Sequence, residues 1–237
     1  MGKTNKKTIL ITGSQGFVGG QIALLLERNY KIVRYDLKSG QDILNCEQLV
    51  EHLDGVDAVL HLAGLRGPDC DTEGAEPEDY HEVNYGGTVA VVKAMKKAGV
   101  KKIVFISSGA VYLTMLFDKK PKKYEGTGYD WPNGWVIRDF SILPINDKTP
   151  YPKHLHPYSQ CKLDTEDYLS KSGLNAISLR VNGLGSGPPW SLGWHNMVDA
   201  INKAIEANLK KFEWFNIADP HCEVDISKAE KLLGYKP

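Results

Sequence analysis

The chain has few cysteines, no long apolar run and no excess of charge of either sign. Its four cysteines form no CxxC pair and no metal-ligand spacing, so no structural zinc is expected. No apolar run approaches the length of a membrane span, and the first residues lack the apolar core of a signal peptide. With 29 basic and 29 acidic residues, nothing electrostatic points to nucleic acid or an anionic membrane as a partner. We therefore expect a reduced, cytoplasmic protein.

The first two thirds of the sequence alternate between strand-like and helix-like patterns. The strand-like runs are residues 8–12, 31–36, 56–63 and 102–107, and the helix-like runs include residues 17–28 and 79–98. Continuous apolar strands that alternate with helices are typical of a parallel sheet with helices on both faces. The pattern therefore predicts an α/β fold with a doubly wound parallel sheet.

Three glycines at three-residue spacing follow the first predicted strand. Gly13 permits a tight turn, Gly16 lets the backbone approach a phosphate, and Gly19 permits close helix–sheet packing. The helix that follows offers unsatisfied N–H groups and a partial positive charge. This loop predicts a site for the pyrophosphate of a dinucleotide, although an ordinary strand-to-helix turn is the alternative.

Asp36 stands at the end of the second predicted strand. A carboxylate at this point accepts hydrogen bonds from an adenosine ribose and repels a 2′-phosphate, which favours NAD over NADP. Arg34 and Lys38 are close enough in sequence to weaken that preference. The alternative is that Asp36 only caps a turn.

Tyr158 and Lys162 are four residues apart on a predicted helix that opens near Pro157, so their side chains share a face. The pKa of a free tyrosine is about 10, and a neighbouring ammonium lowers it. The tyrosine could then take a proton from a substrate hydroxyl while hydride leaves for a nicotinamide. Ser107 and Ser108 follow the fourth predicted strand and offer a hydroxyl at the edge of the sheet where ligands bind. A chance pair on a solvated helix and a simple Ser-Ser turn are the alternatives.

In this order along the chain, these motifs resemble the extended short-chain dehydrogenases/reductases of the NAD-dependent epimerase/dehydratase family. The segments that carry the resemblance are residues 12–19, 36, 42–43, 61–64, 83–88, 107–112, 158–162, 179–182 and 225–235. The resemblance implies a Rossmann-type sheet and an NAD cofactor. It also implies a homodimer formed through the helices at about 79–98 and 158–172.

Carried over residue by residue, the resemblance implies a catalytic set, a cofactor-binding set and a substrate set. Ser108, Tyr158 and Lys162 would be catalytic, with Tyr158 as the acid/base. The cofactor set is Gly13, Gly16, Phe17, Val18, Gly19, Asp36, Asp42, Ile43, Leu62, Ala63, Gly64, Asn84, Ser107, Tyr158, Lys162 and Val181. The candidates for substrate contact are Arg66, Ser108, Asn182 and His195, the last because it follows an unusually short loop.

Two departures from the family pattern concern the substrate: an inserted segment and a shortened C-terminal region. Residues 1–182 are predicted to form the NAD-binding domain with an insertion at about 114–145, and residues 183–237 a reduced substrate-binding region packed against it. This short region argues against a nucleotide-sugar pocket unless the insertion rebuilds one. The insertion is either a stacking and phosphate-binding lid or a solvated basic loop, and it carries Lys119, Lys120, Lys122, Lys123, Trp131, Trp135 and Arg138.

The sequence leaves three functions open. A nucleotide-sugar epimerase would oxidise a sugar hydroxyl transiently and let the keto sugar rotate before reduction. A net dehydrogenase would oxidise a small sugar or uronate, and a non-catalytic NAD-binding sensor or subunit would have no need of Tyr158. Gly109 and Ala110 stand where sugar dehydratases carry an Asp-Glu pair, which argues against dehydration. His154 and His156 are predicted to lie in a surface loop with a structural role.

Overall fold

A computed structural model describes residues 6–66, 75–112, 114–116, 126–131, 134–139, 145–181, 183–184 and 191–237. The strands are β1 (Thr8–Thr12), β2 (Lys31–Tyr35), β3 (Ala58–His61), β4 (Lys102–Ser108), β5 (Thr114–Leu116), β6 (Gly126–Trp131), β7 (Gly134–Asp139), β8 (Asn175–Val181) and β9 (Glu213–Ile217). The α-helices are α1 (Phe17–Leu26), α2 (Cys46–His52), α3 (Pro77–Tyr80), α4 (Gly87–Ala98), α5 (Pro157–Lys171), α6 (Trp194–Glu206) and α7 (Ser227–Leu233).

Six strands form one sheet in the order β2-β1-β3-β4-β8-β9, and all of their pairings are parallel. The chain runs from β1 to β2 on one side and then returns past β1 to β3 on the other side. The direction of winding therefore reverses at the carboxyl end of β1, and open parallel sheets bind their ligands at such a reversal. The predicted doubly wound α/β fold is confirmed.

Helices cover both faces of this sheet, because the side chains of each central strand alternate between the two faces. Ile9 and Ile11 of β1 pack in a core with α1, α6 and α7, whereas Leu10 packs in a second core with α2, α4 and α5. Both faces of the central strands are buried, which explains their continuous apolar sequences.

The predicted helix at 79–98 is one continuous helical stretch with a change of winding inside it. It begins as α3, widens into a π-helical segment (His81–Gly86) and continues as α4. A π-helical segment shifts the side chains that follow it around the helix axis, and such segments are frequent at functional sites. Here the segment carries Asn84 inward, where it is buried.

The predicted insertion contains a second, three-stranded antiparallel sheet in the order β5-β7-β6. The sequence shows no clear period in this region, so it did not predict these three strands. The side chains named for the lid lie outside the part of the chain whose side chains the structure describes. Within the described ranges, no helix has both the length and the apolar character needed to cross a membrane.

Candidate active site

A cavity of about 370 Å³ opens at the carboxyl ends of β1, β2 and β3. Twelve of the predicted cofactor and substrate residues line it: Gly13, Gly16, Phe17, Val18, Gly19, Asp36, Asp42, Ile43, Leu62, Ala63, Gly64 and Arg66. Five others were not predicted: Leu37, Gln41, Leu44, Leu65 and Val83. Leu37, Gln41 and Leu44 could have been predicted from the sequence, because they lie beside Asp36 and Asp42 in a loop that reaches the same sheet edge.

Close packing requires glycine at two positions of this turn. Gly13 has a φ of +69°, and a Cβ atom there would lie 2.8 Å from the backbone of Ala63. A Cβ atom at Gly19 would overlap the carbonyl of Gly13. Helix α1 then begins with no side-chain cap and no acidic residue in its first turn, so its first N–H groups are left for an anion. The turn fits a pyrophosphate.

Asp36 is buried at the edge of the cavity, and both of its carboxylate oxygens already accept backbone N–H groups. Oδ2 accepts from Gln15 at 2.8 Å and Oδ1 from Lys38 at 2.9 Å, which fixes the carboxylate in place. Each oxygen retains a lone pair for a ribose hydroxyl. Arg34 is paired with Glu27 at 2.6 Å and so is not directed to this site. Asp36 therefore does cap a turn, as the alternative had it, and these hydrogen bonds orient its carboxylate.

Beneath the cavity, a chain of hydrogen bonds joins Thr12, His61 and Thr88. Thr88 donates its hydroxyl to the carbonyl of Asn84 at 2.8 Å, so it accepts from Nε2 of His61 at 2.9 Å. Nδ1 of His61 then accepts the hydroxyl of Thr12 at 2.7 Å, while Thr12 accepts the N–H groups of residues 62 and 63. Burial, and then the charge of Lys162, lower the pKa of His61 to about 3. A neutral imidazole therefore ties β1, β3 and α4 together.

Asn84 does not line the cavity but holds one of its walls. Its Oδ1 accepts the N–H of Leu65 at 2.7 Å, and its Nδ2 donates to the carbonyl of Leu65 at 3.2 Å. A Cβ atom on Gly64 would lie 2.7 Å from that Oδ1, which is why glycine is required there. The sequence predicted Asn84 to bind the cofactor, and the two side-chain hydrogen bonds described for it are to the loop that lines the cavity.

Tyr158 and Lys162 lie on α5 as predicted, with Nζ of Lys162 5.4 Å from the centre of the Tyr158 ring. Lys162 is buried, and its ammonium donates to the carbonyl of Ile106 on β4 at 2.9 Å. Burial lowers the pKa of Lys162 to about 8, against the opposing effect of Glu166. Because this value stays above neutral pH, the ammonium beside the phenol remains mostly charged.

The predicted serines lie at the end of β4, next to this pair. Ser108 is partly exposed, and its Oγ accepts the N–H of Ala110 at 3.1 Å. Ser159 of α5 donates to the carbonyl of the same Ala110 at 2.9 Å, which fastens the Ser108 turn to the helix that carries Tyr158. Ser107 is buried, and its Oγ has no hydrogen-bond partner among the described atoms. Val181 is the register partner of Ser108 on β8.

Besides Asn84, six predicted positions among the described residues do not line this cavity: Ser107, Ser108, Tyr158, Lys162, Val181 and His195. His195 is exposed in the first turn of α6, and Asn182 lies outside the described residues. His154 is exposed as predicted, but the prediction of a surface position for His156 is wrong, because that ring is only 2% exposed. Across the described ranges, no group of three or more His, Cys, Asp or Glu residues could hold a metal ion.

The glycine turn follows β1 and fits a dinucleotide. Two strands along the same sheet, the Tyr158–Lys162 pair of α5 lies next to the end of β4. This combination defines the class of extended short-chain dehydrogenases/reductases. Residues 9–204 match the model of the NAD dependent epimerase/dehydratase family, and the chain belongs to that family. The family's cofactor is NAD, and the crowded glycines with the fixed carboxylate of Asp36 fit it.

Curated relatives of this chain include sugar epimerases. The bifunctional protein GAL10 of Kluyveromyces lactis is 28% identical over 217 residues, which are 79% of this chain and 28% of that protein. The UDP-glucose 4-epimerase of Klebsiella pneumoniae is 30% identical over 128 residues, which are 44% of this chain and 91% of that sequence. The chain thus spans less than a third of the length of the GAL10 protein.

Solved structures with this fold cover nearly all of the chain. The UDP-N-acetylglucosamine 4-epimerase from Bacillus cereus has a TM-score of 0.72 at 21% identity, with 97% of this chain and 92% of that chain covered. A mutated uronate dehydrogenase has a TM-score of 0.68 at 19% identity, with 98% and 81% covered. At these identities the likeness concerns the fold.

Proposed function

We propose that this protein is an NAD-dependent sugar-modifying enzyme that epimerises a nucleotide-sugar through transient oxidation of a sugar hydroxyl. The observation that carries the proposal is the buried ammonium of Lys162, 5.4 Å from the Tyr158 ring at the sheet edge that also holds the cofactor cavity. The similarity to UDP-glucose 4-epimerases supports a nucleotide-sugar as substrate.

In this proposal three side chains handle the substrate proton. Bound NAD would supply the acceptor for the hydride. Tyr158, with its phenolate stabilised by Lys162, would remove the proton from the sugar hydroxyl and return it at the end of the cycle. The Oγ of Ser108 accepts from the Ala110 amide, so its hydrogen is left to donate to the substrate oxygen. Arg66, which lines the cavity, and His195, which is exposed outside it on α6, are the described candidates for further substrate contacts.

The second candidate is a net dehydrogenase of a small sugar or uronate. Two observations favour it: the fold shared with a uronate dehydrogenase, and the few residues between β8 and α6 that are available to build a nucleotide pocket. Such an enzyme would use the same Ser108, Tyr158 and Lys162 chemistry but would release reduced cofactor.

The test combines ligand binding with turnover. Thermal-shift measurements with NAD, NADP and a panel of UDP-sugars and uronates identify ligands of the native state, because each raises the melting temperature. Turnover on the ligands found is then compared between wild type, Tyr158→Phe and Tyr168→Phe. Both variants remove one phenol oxygen from α5, but only the first removes the proposed acid/base. We expect turnover to be lost in Tyr158→Phe and kept in Tyr168→Phe.

The products separate the candidate functions. Interconversion of two UDP-sugars with no net change in NADH supports the epimerase, and NADH that accumulates on addition of a uronate or free sugar supports the dehydrogenase. Binding of NAD with no turnover on any member of the panel, in wild type and Tyr158→Phe alike, would contradict both and indicate a non-catalytic NAD-binding subunit.

The assembly and organisation expected from the sequence remain part of this proposal. They are a homodimer that pairs α4 and α5, a cytoplasmic location, no nucleic-acid or membrane partner, and a division into residues 1–182 and 183–237. Light scattering on the purified protein tests the dimer, and a monomer at micromolar concentration would contradict it.

A further inference from the structure

Helix α5, which carries Tyr158 and Lys162, begins with an unusual capping residue. The N-cap is His156, whose Nδ1 accepts the backbone N–H of Tyr158 at 3.1 Å. Helix N-caps are normally Ser, Thr, Asp, Asn or Gly, because their short side chains reach the N–H groups of the first turn. An imidazole is bulkier, and in this position its Nδ1 must carry no proton.

The His156 ring makes a second contact, with an aromatic neighbour. Tyr80, buried in α3, presents its ring to both neighbours: to His156 at 5.4 Å and 83°, and to Tyr158 at 6.2 Å and 75°. Edge-to-face pairs at such distances are favourable and restrict ring orientation. His156 therefore contacts Tyr158 twice, directly through its amide and indirectly through the Tyr80 ring. We call these three rings the aromatic brace.

The brace matters because of where Tyr158 lies in the helix. With His156 as N-cap and Pro157 as the first helical residue, Tyr158 is the second residue of α5, in the turn most prone to fraying. Lys162, one turn further on, is held firmly by its bond to Ile106. The separation between the phenol and the ammonium is therefore set by how well the first turn of α5 is fixed.

We infer that His156 is a positioning residue for the proposed acid/base: its cap on the Tyr158 amide holds the phenol beside Lys162. This inference rests on the proposed role of Tyr158 and names a residue that does not itself touch substrate. In the described part of the chain, Lys162 from α5 and Tyr80 from α3 face the Tyr158 ring, with His156 at the cap. Loss of the cap lets the first turn fray and moves the phenol away from the ammonium that lowers its pKa.

Two substitutions separate the cap from the ring. His156→Phe keeps an aromatic ring against Tyr80 but has no acceptor for the Tyr158 amide, whereas His156→Asn keeps an acceptor of the preferred kind and removes the ring. Each loses one contact of the brace, so both are expected to melt about 2–4 °C below wild type. A general loss of stability would affect the two variants alike.

The readout is the pKa of the Tyr158 phenol in the NAD-saturated protein, followed by tyrosinate absorbance, with Tyr158→Phe as the blank. In wild type we expect one tyrosine to titrate below the ordinary value of about 10, and Tyr158→Phe to lack it. In His156→Phe we expect that pKa to rise by about one, equivalent to a tenfold smaller phenolate population, and in His156→Asn to stay at the wild-type value.

The possible failures are distinguishable. If His156→Phe keeps the wild-type pKa of Tyr158, or if His156→Asn raises it as much, the cap does not position the phenol and the inference is overturned while the proposed function stands. If wild type itself shows no tyrosine of lowered pKa, the proposed role of Tyr158 fails and the inference fails with it.

Discussion

Nδ1 of His61 lies 2.7 Å from Oγ1 of Thr12, inside a buried chain of hydrogen bonds in which each donor has its own acceptor. Thr12 immediately precedes the glycine turn, and His61 ends the neighbouring strand β3. The pair therefore fixes the spacing of the two strand ends between which the cavity opens. A proton added to Nδ1 would remove the acceptor for Thr12 and place a charge in the core, near Lys162.

The first prediction is a loss of stability in mild acid that is due to His61. The pKa of His61 is about 3 in the folded protein and about 6.5 in the unfolded chain. Between these values the unfolded chain binds more protons, so the free energy of unfolding falls as pH drops below about 6.5, by at most about 1.4 kcal/mol per pH unit from this group. Denaturant unfolding at about pH 7 and about pH 5 measures the fall.

Two histidine variants assign that fall to its source. His61→Gln cannot titrate and should show a smaller loss of stability between the two pH values, whereas His154→Gln, which replaces an exposed histidine, should behave as wild type. An undiminished loss in His61→Gln would mean that other groups cause the acid sensitivity.

The second prediction separates backbone strain from crowding at the glycine turn. Gly13 and Gly55 have similar φ values of +69° and +65°, but a Cβ atom at Gly55 would meet nothing within 4 Å. Gly55→Ala should cost only the left-handed strain of about 1–2 kcal/mol and leave NAD affinity unchanged. Gly13→Ala also pushes against Ala63 and should weaken NAD binding at least tenfold. Calorimetric titration with NAD and thermal unfolding measure both effects, and equal NAD affinities would contradict crowding as the reason for Gly13.

The glycine turn and most strands of the parallel sheet could be predicted from sequence, because both follow from local rules. A buried parallel strand needs a continuous apolar run, and a turn against a neighbouring strand needs glycine. The inward position of Asn84 could not be predicted, since it depends on a π-helical segment that is favoured by contacts with Leu65, nineteen residues away in the chain.

Two other features could not be predicted from the sequence, because they too depend on contacts between separate elements. The β5-β7-β6 sheet pairs strands that have no apolar alternation, so its register comes from contacts between segments and not from periodicity. His156 looked like a loop residue because histidine is not a usual helix cap, and its burial depends on Tyr80 from a distant part of the chain. In each case the missing information was a contact with another element.

The third prediction concerns a buried ion pair that joins helix α5, which carries Tyr158 and Lys162, to strand β8. Arg180 on β8 donates to both carboxylate oxygens of Glu166 at 3.1 and 2.5 Å, and both side chains are almost fully buried. Burial alone would lower the pKa of Arg180, but the hydrogen bond and charge of Glu166 raise it above its usual value. Glu166→Gln leaves a buried charge without its partner and should cost about 3–5 kcal/mol.

The adjacent residue provides the control for that change. Asp167 pairs with Lys171 at 2.6 Å on the exposed side of the same helix, so Asp167→Asn makes the same loss of charge in water. It should cost less than about 0.5 kcal/mol. Urea unfolding of the two variants gives the comparison, and similar costs would show that burial does not govern the strength of the Glu166 pair.

The last prediction is that Asn84 supports cofactor binding through the loop that it holds, without lining the cavity. Asn84→Ala removes partners from the N–H and carbonyl of Leu65, so it should lower stability by about 1–3 kcal/mol and loosen the wall formed by residues 62–66. Because NAD must then order that wall on binding, its affinity should fall about tenfold, by about 1.4 kcal/mol.

Asn216→Ala is the control, since it also removes a buried asparagine and a hydrogen bond, to Tyr112, but touches no part of the cavity. If the two variants lose stability alike and only Asn84→Ala loses NAD affinity, the role of Asn84 is specific to the cofactor loop. Equal NAD affinities in the two variants would mean that the loop keeps its shape without the asparagine, and the two Asn84–Leu65 hydrogen bonds would then contribute to stability alone.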